Sequence, residues 1–349
     1  MAAHAWLPAH RPRPHQGRFQ RRLARHGRRP DHLRPGAATP SRQQRRTNME
    51  LGMIGLGRMG ANMARRLVKA GHHVSGFDPN ADARKHVKDF GATAADSLDA
   101  LVAQLEVPRT IWMMVPSGKI TSDTVDALLD RLDKGDSIVD GGNSNYKDTL
   151  ARAQAAAAKG IHYIDCGTSG GVWGLDEGYS MMIGGEKAAV ERLRPIFETL
   201  APGKDKGWGH VGPVGAGHFT KMVHNGIEYG LMQAYAEGFS ILRHKEDFKL
   251  DLHQVGAIWR YGSVVRSWLL ELTTDALGKN PDMDGIAPWV ADSGEGRWTV
   301  AEAIDLDVPA PVITASLIAR LRSRDGDSFA DKLLAAMRNE FGGHPIRKE

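Results

Sequence analysis

The run Leu51-Gly52-Met53-Ile54-Gly55-Leu56-Gly57-Arg58-Met59-Gly60 sets a short apolar strand directly before a G-x-G-x-x-G turn. A helical pattern follows over residues 61–70 and closes at Gly71. Val74-Ser75-Gly76-Phe77 then reads as a second strand ending at an acid, Asp78. Strand, glycine-rich turn, helix, strand and acid in that order are the fingerprint of a dinucleotide-binding unit. The glycines permit a tight turn and let backbone approach a pyrophosphate, which rests on the unpaired N–H groups of a helix N-terminus. Asp78 can accept both hydroxyls of a ribose and repels a 2′-phosphate. The next residue is Pro79, and the nearest cation is Arg84. The expected cofactor is therefore NAD, with NADP a weaker possibility.

Outward from this unit the alternation continues. Residues 110–115 read as a buried strand ending at Pro116-Ser117-Gly118, and a helix over 119–132 leads to the strand Ser137-Ile138-Val139-Asp140. That strand opens into Gly141-Gly142-Asn143-Ser144, before an alanine-rich helix. Residues 161–165 form another strand and lead to a second glycine-rich loop over 167–174. A last strand is expected at 180–183 and a last helix at 186–200. This pattern predicts a doubly wound parallel α/β sheet. Ligands in such sheets bind beyond the carboxyl ends of the strands, where four of these loops gather. After Gly212-Pro213 the strand signals stop, and helical patterns occupy 219–243, 252–261, 264–276, 300–305, 312–322 and 329–340. The expected division is a basic extension over 1–48, a Rossmann-like domain over 49–213 and an all-helical substrate and dimerisation domain over 214–349.

The first of these later helices carries Phe219-Thr220-Lys221-Met222-Val223-His224-Asn225-Gly226-Ile227-Glu228-Tyr229-Gly230. In a helix Lys221, Asn225 and Glu228 share one face, with His224 beside them. A lone Lys–Glu pair at this spacing is commonly a solvated salt bridge. An ammonium, an imidazole, an amide and a carboxylate on an apolar, glycine-interrupted helix look instead like a wall of an acid–base site.

Bulk composition is that of a globular protein, 41% hydrophobic and 25% charged, and no apolar run approaches the length needed to span a bilayer. The net charge of +5 is uneven. Residues 1–48 hold twelve Arg, no Lys and one acid, Asp31, so the tail carries +11 and the other 301 residues −6. A nucleic-acid partner would have to rest on the tail alone, and none is expected. The tail lacks a periodic apolar pattern. It reads as a disordered extension without function before a start at Met49, rather than as a basic arm or a targeting peptide. The single cysteine, Cys166, excludes an internal disulfide and fits a reducing, cytoplasmic compartment. Beside a strand end and far from any cation in sequence, it reads as a packed thiol rather than a nucleophile. No metal-ligand spacing occurs.

The glycine motif at 55–60, Asp140-Gly141-Gly142-Asn143-Ser144, Gly167-Thr168-Ser169-Gly170-Gly171 and the run from Lys221 to Gly230 together resemble the decarboxylating 6-phosphogluconate dehydrogenases, within the wider β-hydroxyacid dehydrogenase group. The resemblance spans nearly all of residues 50–345. His224-Asn225-Gly226-Ile227-Glu228-Tyr229 is its most specific part. It implies oxidation and decarboxylation of 6-phosphogluconate to ribulose 5-phosphate, with Lys221 as base and Glu228 as acid, and with Asn225 and His224 in the catalytic set. It further implies that Asn143, Ser169, Gly170, Gly171 and Tyr229 hold the sugar acid, and that Arg320 grips the phosphate. Arg338 and His344 lie in a tail motif that reaches a neighbouring subunit's site, so a homodimer or homotetramer is implied. The implied cofactor contacts are Gly55, Leu56, Gly57, Arg58, Met59, Gly60, Asp78, Val115 and Asn143. Ser293 and Glu295 stand where longer members carry Lys and Thr before a Gly-Lys-Trp-Thr motif, written here Gly296-Arg297-Trp298-Thr299. That departure and the short helical domain resemble a short, NAD-preferring subclass. The competing activity is a non-decarboxylating oxidation of the 3-hydroxyisobutyrate type, which has no use for His224 and Glu228.

Overall fold

The computed structural model describes residues 48–347, so the basic extension, apart from Asn48, lies outside the described residues. The chain opens with β1 (Glu50–Ile54), α1 (Arg58–Lys69), β2 (His73–Phe77), α2 (Ala81–Lys88), β3 (Thr93–Ala94), α3 (Leu98–Ala103) and β4 (Thr110–Met113). It continues through α4 (Lys119–Leu129), β5 (Ser137–Asp140), α5 (Tyr146–Ala158), β6 (His162–Ser169), α6 (Gly174–Glu177) and β7 (Ser180–Gly184). Then come α7 (Lys187–Arg192), α8 (Arg194–Leu200) and β8 (Trp208–Gly212). The remainder is helical: α9 (Ala216–His244), α10 (Leu252–Trp259), α11 (Trp268–Lys279), α12 (Glu295–Asp305), α13 (Pro311–Arg322) and α14 (Phe329–Gly342).

The eight strands form one sheet in the order β3-β2-β1-β4-β5-β6-β7-β8. The order reverses between β1 and β4, which opens a crevice at their carboxyl ends. The expected architecture is present, with local differences. β6 and β7 are antiparallel, with Gly167 opposite Met182, because the ten residues between them are too few for a parallel crossover with its helix. The expected loop at 167–174 therefore begins only at Gly170, and Gly167 to Ser169 continue β6. The strand at 180–184 is not the last, since β8 adds an edge beside β7. The expected helix at 186–200 is two helices, α7 and α8, joined at Leu193 with Pro195 in the first turn of the second.

Apolar clusters pack both faces of the sheet. Leu51, Met53, Met63, Leu67, Trp112 and Phe197 anchor one, and Ile54, Leu101, Ile111, Met113, Leu128 and Ile138 the other. The long helix α9 is fastened to the sheet by a carboxylate. Asp165 on β6 is wholly buried; its Oδ1 accepts the Gly215 N–H at 2.7 Å and its Oδ2 the His218 N–H at 2.8 Å. The acid of one strand thus caps a helix some fifty residues later, which lacks a side-chain cap of its own. Asp165→Ala strands two buried donors and is expected to cost roughly 2–4 kcal/mol. A urea titration reads this as a lower midpoint with little change in slope.

Candidate active site

Three glycines show what the first turn is built for. Gly55 sits at φ +86, and a Cβ there would stand 2.4 Å from the Met114 carbonyl oxygen; a Cβ on Gly60 would stand 1.9 Å from the Gly55 oxygen. Both are required by the crossing of α1 with the β1–β4 edge. Gly57 is not: nothing among the described residues lies within 4 Å of where its Cβ would be. It caps α1, whose first turn carries no acid and no capping side chain. The space over Gly57 and the free N–H groups behind it fit a pyrophosphate. One strand away, Asp78 is fixed at the end of β2 by the Leu56 N–H on Oδ2 and the Asn80 N–H on Oδ1, both at 2.8 Å. Arg84 is committed elsewhere. Its Nη1 donates to the carbonyls of Asp78 and Pro79, and its Nε lies 3.6 Å from Asp96. The residues present therefore fit a dinucleotide with free ribose hydroxyls and offer little to a 2′-phosphate.

These groups open into a cavity of about 840 Å³ lined by Gly55, Gly57, Met59, Asp78, Val115, Gly142, Asn143, Ser169, Gly170, Gly171, Lys221, Asn225 and Glu228. Phe77, Pro79, Leu98 and Ile120 give it an apolar end suited to a base. The cavity thus joins the cofactor turn to the polar stripe of α9. Leu56 and Gly60 are buried and Arg58 is exposed, and none of the three lines the cavity.

Lys221 is 7% exposed and Asn225 8%. The Lys221 Nζ donates to Asn225 Oδ1, which also receives the His224 Nδ1–H at 3.1 Å. His224 Nδ1 lies 3.9 Å from Glu228 Oε2. Burial lowers the Lys221 ammonium from its ordinary value, and the charges of Glu228 and Glu295 partly restore it. A lysine so placed sits nearer to giving up its proton than one in water. The helix reaches this position because β6 offers no side chain under it: a Cβ on Gly167 would stand 2.4 Å from the Lys221 Cβ.

Other candidates lie apart from the cavity in a single chain. Tyr229 is buried under Arg320, whose guanidinium lies 3.4 Å from the ring centroid and donates to the Ala291 carbonyl. The Tyr229 hydroxyl meets Ser293 Oγ at 3.3 Å. Arg338 and His344, at the end of α14 and just beyond it, are exposed and line none of the cavities that touch α9. Cys166 is fully buried with its thiol pushed up to about 12 by desolvation, as expected of a packed thiol. No group of His, Cys, Asp and Glu among the described residues has the arrangement of a metal site.

One support had no signal in the sequence pattern. Arg152, 6% exposed on α5, donates to the Gly118 carbonyl, Ser122 Oγ and Ser144 Oγ at 3.1–3.3 Å. It lies 3.6 Å from Asp140, whose carboxylate also takes the Ser144 and Tyr163 hydroxyls and the Gly142 N–H. One buried guanidinium thereby ties the loop after β4 to the loop carrying Asn143. Only its position, a lone arginine among alanines, could have drawn notice.

A dinucleotide cradle that opens onto a buried lysine with a carboxylate two turns on defines a nicotinamide-linked dehydrogenase that moves protons as well as hydride. Family models agree with this class. The NAD-binding domain of 6-phosphogluconate dehydrogenase matches residues 50–212, and the 6-phosphogluconate dehydrogenase C-terminal domain matches residues 217–341. An NAD(+)-dependent decarboxylating 6-phosphogluconate dehydrogenase of Haloferax volcanii is 45% identical over 302 residues, 86% of this chain and 99% of that protein. An NADP(+)-dependent decarboxylating enzyme of Bacillus subtilis is 39% identical over 290 residues, 79% of this chain but 62% of that longer protein. The solved 6-phosphogluconate dehydrogenase of Plasmodium falciparum superposes with a TM-score of 0.73 at 29% identity, covering 86% of this chain and 66% of that one. The chain belongs to the 6-phosphogluconate dehydrogenase family.

Proposed function

We propose that this chain oxidises and decarboxylates 6-phosphogluconate to ribulose 5-phosphate and CO2 with NAD as hydride acceptor. The observation that carries this reading is Lys221, buried against Asn225 at the cavity wall with Glu228 on the same wall. A neutral Lys221 amine takes the proton of the C3 hydroxyl. Bound nicotinamide supplies the acceptor for the hydride that leaves C3. The C1–C2 bond then breaks, its electron pair moving toward the C3 oxygen while C1 departs as CO2. The Lys221 ammonium, held by Asn225, returns its proton to that oxygen. Glu228, acting as the acid, places a proton on the former C2 of the enediol and so completes the pentulose. His224, between Asn225 and Glu228, orients both. Asn143, Ser169, Gly170 and Gly171 border the same space and are assigned to the sugar acid, and Tyr229 with Arg320 to its phosphate end.

The reading includes the division at 213–214, a cytoplasmic enzyme and an assembly of at least two copies, in which Arg338 and His344 serve a neighbour's site. Their exposure, and their absence from the cavity lining of their own chain, support that assignment. No helix among the described residues is long and apolar enough to cross a membrane.

The test is reduction of NAD and of NADP with 6-phosphogluconate while released CO2 is trapped. NADH with one CO2 per turnover, and weak NADPH formation, is the expected result. Reduction without CO2, or turnover confined to an unphosphorylated 3-hydroxy acid, would move the chain to the non-decarboxylating group. Strong NADPH formation would show that Asp78 and Arg84 do not decide the cofactor.

A further inference from the structure

Arg152 lines no part of the cavity, yet it bonds to the segments on two sides of it. On one side its Nη2 donates to the Gly118 carbonyl and to Ser122 Oγ, each at 3.1 Å, and its Nε donates to Ser122 Oγ at 3.2 Å. Gly118 is the residue from which α4 starts, at φ +86 and without a capping side chain. It ends the segment Val115-Pro116-Ser117, which lines the cavity along with the apolar residues suited to a base. On the other side Nη1 donates to Ser144 Oγ at 3.3 Å and lies 3.6 Å from Asp140 Oδ2. Those two residues bracket Gly141-Gly142-Asn143, which also lines the cavity. The Ser144 hydroxyl donates to Asp140 Oδ2 at 2.8 Å, and the Gly142 N–H to Oδ1 at 3.2 Å. The loop carrying Asn143 is thus closed on itself and then tied through one side chain to the loop after β4. The two loops also meet directly: a Cβ on Gly142 would stand 3.0 Å from the Val115 carbonyl oxygen.

Stability alone does not explain a guanidinium in this place. It is 6% exposed and lies by the N-termini of α4 and α5, where the helix dipoles disfavour a cation. Apolar packing commonly matches a buried ion pair for stability. What a planar fork adds is a set of directed bonds to several oxygens at fixed spacing.

We propose that Arg152 is a positioning residue for hydride transfer. By joining Gly118 and Ser122 to Ser144 and Asp140, it fixes the spacing between the cofactor side of the cavity and Asn143 on the substrate side. This role rests on oxidation at C3 by NAD as the reaction. The reacting atoms must come within about 3–3.5 Å, and a displacement of about 1 Å costs on the order of 100-fold in rate. Each ligand keeps the contacts of its own side when the spacing slips. Affinity is therefore spared while the rate at saturation falls.

The test is stopped-flow NADH formation in Arg152→Lys with NAD and 6-phosphogluconate both saturating, beside separate titrations of each ligand. Lysine keeps the charge but lacks the fork that reaches both sides. The hydride-transfer rate should fall roughly 10- to 100-fold, with each dissociation constant within about threefold of wild type. Ser122 lies outside the cavity wall, and Ser122→Ala should slow the same step by a smaller factor. In the double variant Arg152→Lys/Ser122→Ala the rate should match that of Arg152→Lys, because the tie is already cut. If Arg152→Lys does not fold, Ser122→Ala and Ser144→Ala carry the test, since each removes one acceptor of the guanidinium. A hydride-transfer rate at the wild-type level, or losses confined to affinity or melting temperature, overturns the inference. Wild type run alongside separates the two failures. No NADH from wild type with 6-phosphogluconate sinks the reaction and this role together, whereas an active wild type with unslowed variants sinks only the role of Arg152.

Discussion

Lys221→Met is expected to lower kcat by roughly 10³-fold or more while the protein becomes no less stable. The kinetic loss is that of a general base which later serves as acid to the same oxygen. The stability outcome follows from burial. Lys221 is charged in the unfolded chain below its ordinary value of 10.5, whereas desolvation in the folded state disfavours the charged form. A group with a depressed folded value adds to stability above the unfolded value and loses that contribution as pH falls through the folded one. At pH 7 the wild type therefore bears a penalty that methionine, of similar length and apolar, removes. The Asn225 Oδ1 keeps the His224 N–H as a donor, so the variant leaves no buried acceptor without a partner there. Melting curves at pH 7 and near pH 10.5 check this: the variant should match or exceed wild type at the lower pH, and the difference should shrink at the higher. A wild-type rate in the variant would remove Lys221 from the mechanism. Reduced stability would mean that its ammonium supports the fold.

The sequence displayed the elements whose chemistry is local. The β1–α1 turn, the acid after β2 and the polar stripe on α9 each lie within a dozen residues and obey a simple period, and the cavity gathers all three. Elements fixed by distant partners were less legible. β8 was missed because Trp208-Gly209-His210-Val211-Gly212 has glycine where a strand usually packs, and it is an edge held only by β7. The antiparallel β6–β7 pair could have been found from the short connection alone, but the glycines over 167–174 suggested a loop instead. Gly167 answers to Lys221 of α9, and Gly217 to the carbonyls of Asp165 and Met182. Asp165 and Arg152 likewise act on segments dozens of residues away, where periodicity carries no information. Glu295 stood out in the sequence only as a departure from the longer members of the family. The structure buries it, with the Ser293 hydroxyl donating to its Oε2.

Gly57→Ala and Gly60→Ala are expected to fail in opposite ways, although the two glycines are three residues apart in one motif. At Gly60 the new methyl would stand 1.9 Å from the Gly55 carbonyl oxygen, a backbone atom that cannot swing aside. Either α1 must withdraw from the sheet or the turn must open, at a cost of roughly 3 kcal/mol or more. At Gly57 the backbone lies at φ −62 and ψ −174, which alanine adopts freely, and the methyl meets no described protein atom within 4 Å. The folded state should lose only about 0.5 kcal/mol from the weaker cap. That methyl would occupy the path of the pyrophosphate, however, and hold it away from the N–H groups that α1 leaves unpaired. NAD affinity is expected to drop roughly tenfold or more, equivalent to about 1.4 kcal/mol. Urea midpoints and NAD titrations by quenching of tryptophan fluorescence separate the two effects. If Gly57→Ala bound NAD as wild type does, the pyrophosphate would have to pass elsewhere, and the vacant space above Gly57 would lose its explanation. A Gly60→Ala protein of normal stability would show that the turn can yield, so that its glycine answers to the ligand as well.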